Sequence, residues 1–147
     1  AMPDAVLVAH KDKAQDIKNL VTVLKSKNIS QAINSPKDHR PWGWFENLTI
    51  SDSFKVKKIS INPGSALSLQ SHKHRSEHWI IVEGTAKVTI EERIRLINKG
   101  ESVFVPQHSK HRIENPSKFP IILIEVQLGQ YLGEDDIIRY EDIYSRS

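Results

Sequence analysis

The chain has 147 residues, enough for one domain with a hydrophobic core but too few for two full-sized domains. Apolar residues make up 38% and charged residues 27%, and no apolar run is long enough to span a membrane, so we expect a soluble, cytoplasmic protein. The formal net charge of +3 comes from scattered cations rather than a basic stripe, which argues against nucleic-acid binding, and the absence of cysteine excludes disulfides and thiolate chemistry.

The N-terminal region predicts a short strand, one helix and a linker. Residues 4–9 (DAVLVA) form an apolar run of strand length. Asp12 can cap the helix that follows, and residues 26–38 lose all periodicity. We therefore expect a first segment over residues 1–38 and a main domain over residues 39–147. The apolar face of the predicted helix comprises Ala14, Ile17, Leu20, Val21 and Leu24.

From Arg40 onward, short runs of β-forming residues alternate with turn sequences. Evenly spaced strands without an intervening helical pattern predict a mainly-β fold, a small antiparallel barrel or jelly roll. Residues 137–144 fit either a closing strand or a short helix. The predicted strands cover residues 54–61, 66–72, 79–82, 86–91, 102–105, 112–113 and 120–128.

The stretch 70–79 (QSHKHRSEHW) concentrates side chains that bind divalent metals through nitrogen and oxygen. Gln70 and His72 are two residues apart, so on one strand they share a face. Glu77 lies across a tight turn, and His111 comes from a second hairpin. These four side chains can converge inside a barrel and hold a metal with a position left open for substrate.

Other arrangements of these residues stay open. His74 also lies two residues from His72, so a set of His72, His74, Glu77 or His78, and His111 is an alternative that needs a different strand register. Histidines of this kind also occur on surfaces without any metal. Mixed nitrogen and oxygen ligation suits zinc best, while manganese, cobalt, nickel and iron(II) are also compatible.

Two spaced patterns resemble the motifs of the cupin superfamily. We prefer Gln70, His72, Glu77 and His111 as the ligands, because with this set the spacing to the glycines agrees with the cupin motif in both patterns. Gln70 stands where cupins usually carry their first histidine, and His108 replaces a usual glycine. The patterns are Gly64-x5-Gln70-x-His72-x4-Glu77-x6-Gly84 and Gly100-x5-Pro106-x4-His111-x3-Asn115.

Five further stretches lie between Arg40 and Arg146: RPWGW (40–44), LSLQSHKHRSEHW (67–79), GTAKVT (84–89), IEVQLG (124–129) and YLGEDDIIR (131–139). Together they resemble type II mannose-6-phosphate isomerase, although Lys73 departs from the family's three consecutive histidines. In that family the isomerase usually forms the C-terminal part of a chain that begins with a mannose-1-phosphate guanylyltransferase. Residues 4–27 resemble the strand and helix that end the guanylyltransferase part, whose glycine-rich motif is absent, so we expect that N-terminal domain to be missing.

The resemblance implies interconversion of mannose 6-phosphate and fructose 6-phosphate through an enediol(ate), which would feed GDP-mannose synthesis. A metal can polarise the carbonyl, and a base must move the proton between C1 and C2. The candidate bases are His74, Glu125 and the weaker candidate Lys110. For the phosphate we expect Arg112 first, and then Arg40 and Arg139, because arginine's planar fork suits phosphate.

Other functions would use the same pocket. A non-catalytic module that binds a sugar phosphate or a sugar nucleotide would need no base. A different metal-dependent cupin enzyme, such as an iron dioxygenase, is disfavoured by Gln70 among the ligands. Cupins often form dimers, so a homodimer is one expected state.

Overall fold

The structure is a computed structural model that describes residues 6–29, 32 and 37–144. The chain forms two compact units, residues 1–36 and residues 37–147. In the first unit a 3-10 helix, Lys11–Asp16, leads into helix α1, Ile17–Ser26. Among the described residues, no helix has both the length and the apolarity needed to cross a membrane.

Two predictions for the first unit are wrong. The strand expected over residues 4–9 is absent from residues 6–9, the part of it that the structure describes, and Val6 and Val8 are 74% and 88% exposed. A strand needs a neighbour for its backbone hydrogen bonds, and the described part of this unit contains no other strand. Asp12 does not cap α1 but lies in the preceding 3-10 helix, where its N–H donates to His10 Nδ1.

The second unit is built entirely from strands in its described residues, which confirms the mainly-β prediction. They form two antiparallel sheets, one with the order β1-β2-β3-β10-β5-β8 and one with the order β11-β4-β9-β6-β7. The strands are β1 Lys37–Arg40, β2 Gly43–Ile50, β3 Phe54–Ile61, β4 Leu69–Ser71, β5 Arg75–Glu83, β6 Thr85–Ile90, β7 Arg93–Asn98, β8 Ser102–Val105, β9 His111–Glu114, β10 Ile121–Gly129 and β11 Ile138–Glu141.

Several strand boundaries differ from the prediction. Strands β3 and β8 have the expected limits, and within residues 137–144 the structure has a strand, β11 over Ile138–Glu141, rather than a helix. The strand expected over 66–72 is reduced to β4, because Ala66 makes only an isolated bridge to Glu114. Strands β1, β2 and β7 were not predicted, and β1 takes up Lys37 and Asp38 from the expected linker.

The large sheet has an inner face with an apolar half and a polar half. Period-two alternation sends every second side chain inward. At one end, buried residues such as Ile59, Leu123 and Ile81 join the core that both sheets share. At the other end the same alternation points ionisable and amide side chains inward. Cross-strand partners on β3, β10 and β5 form two rows of these side chains. One row is Lys57, Glu125 and Trp79, and the next is Lys55, Gln127 and Glu77.

Two glycines have conformational reasons for their positions. Gly84 has a φ of 85°, and a Cβ there would lie 2.6 Å from the Ile121 side chain. Gly129 pairs with Arg75 at the polar end, where a Cβ would overlap the His74 carbonyl oxygen. A larger residue would displace β10 at its apolar end if placed at position 84, and the backbone that leads into β5 at the polar end if placed at position 129.

His108 occupies a left-handed conformation, with a φ of 66°. This is the position at which the cupin motif usually has glycine. We expect His108→Gly to raise the free energy of unfolding by roughly 0.5 kcal/mol, because the relief of backbone strain exceeds the added entropy of the unfolded chain. Denaturant titration measures this change. Gln107→Gly, the matched control, should lower stability. An equal loss of stability in both variants would contradict the inference that the backbone at His108 is strained.

Candidate active site

Three buried side chains from different elements converge within the polar half of the barrel. His72 follows β4, Glu77 lies in β5 and His111 begins β9. One ligand atom from each lies within 4.8 Å of the other two. The Nε2 atom of His72 is 3.1 Å from Glu77 Oε1, and that of His111 is 3.8 Å from Glu77 Oε2.

The hydrogen bonds of the two imidazoles fit a metal centre. His72 Nδ1 donates to the Asp136 carbonyl at 2.9 Å, and His111 Nδ1 donates to the Ser109 carbonyl at 2.8 Å. Each neutral ring then carries its lone pair on Nε2, and neither Nε2 has a hydrogen-bond partner among the described residues. Two lone pairs and a carboxylate that face one another repel unless a cation lies between them, so this donor set fits a divalent metal.

The charges around Glu77 keep it ionised. Burial would raise the pKa of this carboxyl, but the contact with His72, the pull of His72 and His111 when they are protonated, and the charge of Arg75 outweigh burial and hold the pKa well below its ordinary value. Burial lowers the pKa of His111, although Glu77 opposes that shift. An ionised carboxylate and neutral imidazoles are the forms that bind metal.

The other candidate ligands lie in different surroundings. Gln70 is opposite His111 in the pairing of β4 with β9, and its Oε1 accepts from Ser68 Oγ at 2.9 Å. His74 is exposed and meets Tyr131 edge to face, while the exposed His78 stacks on Phe104. The structure thus brings Gln70 beside the three-residue cluster but does not assemble the alternative set with His74 or His78.

A cavity of about 260 Å³ adjoins the cluster. Gln70 and Glu77 line it on the metal side, and Glu125 lines its wall. Among the expected phosphate ligands, Arg40 and Arg139 line this cavity. One pocket therefore adjoins the three-residue cluster and carries both a buried carboxyl and two cations.

Glu125 is the expected base that the structure brings to this pocket. It is 5% exposed and accepts hydrogen bonds from Trp79 Nε1 at 3.1 Å and Gln127 Nε2 at 2.7 Å. Burial and the negative charge of Glu77 raise the pKa of Glu125 to about 7, against the opposing charges of Lys57 and Arg75. A carboxyl with this pKa can both take up and release a proton near neutral pH.

Trp79 and Gln127 connect Glu125 to Glu77 of the three-residue cluster. The Trp79 indole N–H, which donates to Glu125, also lies 3.2 Å from Glu77 Oε2. Gln127 Nε2 likewise donates to both Glu125 and Glu77. The two carboxylates are therefore held by the same donors, which fixes their relative position.

The buried cations of this site, Lys57 and Arg75, were not predicted from the sequence. Lys57 is 5% exposed, donates to Glu134 at 2.7 Å and lies 4.0 Å from Glu125. Arg75 Nε donates to Glu77 Oε1 at 3.2 Å. Alternation along each strand could have predicted their burial. Lys57 lies on the same face of its strand as Ile59, and Arg75 lies on the same face as Trp79.

Three expected site residues do not line the cavity. His74 is exposed, and the Lys110 ammonium lies 4.4 Å from the centre of the Tyr140 ring. Arg112 donates to Glu141 at 2.6 Å. It follows His111 in β9 and so points to the opposite face of that strand, which explains why the expected first phosphate ligand lies away from the pocket.

Residues 27–142 match the family model described as mannose-6-phosphate isomerase C-terminal. The chain belongs to this family. It is 49% identical over 144 residues to the alginate biosynthesis protein AlgA of Pseudomonas fluorescens, and equally to the xanthan biosynthesis protein XanB of Xanthomonas campestris. It is 45% identical to a mannose-1-phosphate guanylyltransferase of Salmonella montevideo. Each alignment covers 98% of this chain but only 30–31% of the relative's length.

Solved structures establish the cupin fold. An RmlC-like cupin from Shewanella frigidimarina matches with a TM-score of 0.60 and 23% identity, over 70% of this chain and 89% of that chain. A sugar phosphate isomerase of the cupin superfamily from Silicibacter pomeroyi matches with a TM-score of 0.54 and 17% identity, over 58% of each chain. The predicted barrel and the predicted family are thus both confirmed.

Replacing His111 by alanine should remove metal binding while the barrel stays folded. The variant removes an atom that would coordinate the metal, rather than a hydrogen bond that orients such an atom. The metal affinity should therefore fall by more than the roughly 10–100-fold typical of losing a ligand's hydrogen-bond partner. Titration with single divalent metals, beside circular dichroism, measures both properties. His78→Ala, which changes an exposed histidine, is the matched control. Unaltered affinity in His111→Ala would refute the centre.

Proposed function

We propose that this domain is a metal-dependent aldose–ketose isomerase that interconverts mannose 6-phosphate and fructose 6-phosphate. The observation that carries the proposal is the common pocket, in which Glu125 shares hydrogen-bond donors with Glu77 of the metal cluster. Isomerisation needs a base that moves a proton between two adjacent carbons of the substrate. It also needs an electrophile that stabilises the charge on the neighbouring oxygen. The family's name supports mannose 6-phosphate as the aldose.

The ligands in this proposal are Gln70, His72, Glu77 and His111, and zinc is the metal that we favour, with manganese, cobalt, nickel and iron(II) as compatible alternatives. A bound divalent cation would polarise the sugar carbonyl and stabilise the negative charge that develops on its oxygen. The hydrogen bonds from His72 and His111 to backbone carbonyls orient both rings before substrate arrives.

Glu125 moves the proton in this mechanism. From the open-chain aldose its carboxylate removes the proton on C2. The electron pair of that bond forms the C1–C2 double bond while the π pair of the C1 carbonyl moves to O1, which gives the enediolate. The hydroxyl proton on O2 then passes to O1, the electron pair left on O2 forms the C2 carbonyl, and the C1–C2 π pair takes the proton back from Glu125 at C1 to give the ketose. Gln127 and Trp79 hold the carboxylate throughout, and Lys57 lies 4.0 Å away to balance its charge.

The phosphate binds at the two arginines of the pocket in this proposal. Arg139 lies on β11, where it pairs with Gln70, and Arg40 ends β1. Arg40 also donates to Asp38 at 2.7 Å, so part of its donor capacity is already used. Arg139 therefore becomes the principal phosphate ligand, and the sugar chain extends from there towards Glu77.

We propose that the reaction supplies mannose phosphate for sugar-nucleotide synthesis in the cytoplasm. Relatives named as a guanylyltransferase and as alginate and xanthan biosynthesis proteins support this. The chain spans about 30% of their length, so we also propose that residues 39–147 form an isomerase domain that works beside a guanylyltransferase domain, with residues 1–38 as the end of the guanylyltransferase portion plus a linker.

A coupled assay for fructose 6-phosphate tests the reaction. We expect chelator to abolish turnover and a single divalent metal to restore it. Glu125→Gln should lower kcat by roughly 10²–10⁴-fold, because the amide cannot carry the proton. Since the base must be ionised, kcat/KM of the unaltered protein should rise with pH through about 7 and then level off.

The variant and the pH profile distinguish isomerase from binding module. Glu125→Gln should retain substrate affinity, which isothermal titration with mannose 6-phosphate measures. Binding without turnover under every metal would replace the isomerase with a non-catalytic sugar-phosphate module. Turnover that survives in Glu125→Gln would show that another group carries the proton.

Replacing Arg139 by methionine should weaken phosphate binding. The loss of one charge-assisted hydrogen bond raises KM for mannose 6-phosphate by about 10–100-fold, with a smaller effect on kcat. Arg112→Met removes an equal charge from β9 outside the pocket, so steady-state kinetics should show little change in its KM. An equal rise in KM in the two variants would mean that the net charge of the protein, rather than a contact with Arg139, determines the affinity for mannose 6-phosphate.

A further inference from the structure

The loop of residues 130–137, between β10 and β11, makes contact with both the metal cluster and the pocket. Its residues lie 58–77 positions away in sequence from most of their partners. They accept hydrogen bonds from β3, from β5 and from the turn that follows β4. A loop with partners on several elements is suited to fixing their relative positions.

Asp136 supports the metal cluster directly. It is 7% exposed, and its main-chain carbonyl accepts the Nδ1–H of His72. Its side chain accepts from two backbone N–H groups of the turn that follows His72, with Oδ1 bonded to Lys73 and Oδ2 to His74, each at 3.1 Å. One residue thus holds both the ring of a metal ligand and the backbone that carries it.

The same loop also supports Glu77 through Arg75. The Arg75 guanidinium is 2% exposed and donates from Nε to Glu77 Oε1. Its Nη1 atom donates to the Gly133 carbonyl at 2.9 Å and lies 3.8 Å from Asp136 Oδ2. Two of the three clustered ligands are therefore oriented by contacts with residues 133–136.

The other side of the loop contacts the sugar pocket. Glu134 accepts from Lys57 Nζ at 2.7 Å, and Lys57 in turn lies 4.0 Å from Glu125. Lys55 Nζ donates to the Leu132 carbonyl at 2.6 Å. Glu134 therefore acts on the row that contains the base, whereas Asp136, two residues later, acts on the metal ligands.

We propose that Asp136 is a positioning residue of the metal centre, and that Glu134 is a positioning residue of the catalytic row. The inference rests on the metal centre of the proposed function. It assigns separate roles to two acidic residues of one loop: Asp136 fixes His72 and its turn, and Glu134 fixes Lys57 beside Glu125. Substitution of each should therefore affect a different property of the protein.

Asp136→Asn is the decisive variant. The amide keeps one acceptor oxygen but turns a donor towards a backbone N–H, so the turn and His72 lose their fixed positions. We expect metal affinity to fall about 10–100-fold. Competition with a chromophoric chelator, using zinc and cobalt(II), measures this affinity. The visible spectrum of the cobalt protein should also change, which reports a distorted ligand geometry.

Glu134→Gln is the matched control, because it removes the same charge from the same loop. Its metal affinity should stay within about twofold of the unaltered protein, while kcat/KM for mannose 6-phosphate falls about tenfold through weaker retention of Lys57. Asp136→Glu keeps both acceptor oxygens and should bind metal more tightly than Asp136→Asn. Thermal unfolding of the chelated proteins shows whether each variant is folded.

Equal losses of metal affinity in Asp136→Asn and Glu134→Gln would overturn the inference, since charge alone would then explain them. Unchanged affinity and an unchanged cobalt spectrum in Asp136→Asn would also overturn it. If Asp136→Asn does not fold, an affinity of Asp136→Glu equal to that of the unaltered protein counts for the inference, and one as low as that of His111→Ala counts against it. Because metal affinity is measured without substrate, lack of isomerase activity would refute the proposed function and the role of Glu134 in it, but not the role of Asp136 at the metal cluster.

Discussion

The placement of four ionisable side chains inside one half of a β-barrel is the constraint on which the rest of the site depends. Lys57, Arg75, Glu77 and Glu125 are each no more than 5% exposed. An unpaired buried charge costs several kcal/mol, so each must be compensated within the barrel. Cross-strand registry provides this compensation, because it sets Lys57 opposite Glu125 and lets Arg75 reach Glu77 along β5.

The apolar half of the same strands keeps this arrangement rigid. Residues such as Ile61, Ile81 and Leu123 are fully buried in the shared core, and a slip of one residue would turn them out to solvent. The register that buries them also aligns Lys57, Glu125 and Trp79. The strand register that the apolar core fixes therefore also fixes the positions of the polar rows.

Much of this organisation could be predicted from the sequence. Alternation and turn residues predicted the barrel, and the spacing around His72, Glu77 and His111 predicted three side chains that the structure brings together. Contacts made by distant residues could not be predicted. Asp136 reaches His72 across 64 positions, and no local pattern encodes that pairing.

Strand parity explains the remaining differences. Arg112 follows His111 directly, so the two side chains take opposite faces of β9, and nearness in sequence was a poor guide to nearness in space. Lys57 shows the converse, because it shares an inward face with Ile59 and Ile61 although its charge suggests a surface position. Strand β7 was not predicted although its first four residues alternate in polarity; in the structure its apolar Ile94 and Leu96 are exposed and only Ile97 is buried.

The three tryptophans lie in three different surroundings. Trp79 is buried with its indole edge towards the His111 ring and its N–H between two carboxylates. Trp42 lines the cavity, and Trp44 stacks beneath the Lys37 ammonium at 3.9 Å. Indole emission depends on nearby charge and polarity, so the chain carries native optical probes of its His72, Glu77 and His111 cluster, its cavity wall and the exterior of its large sheet.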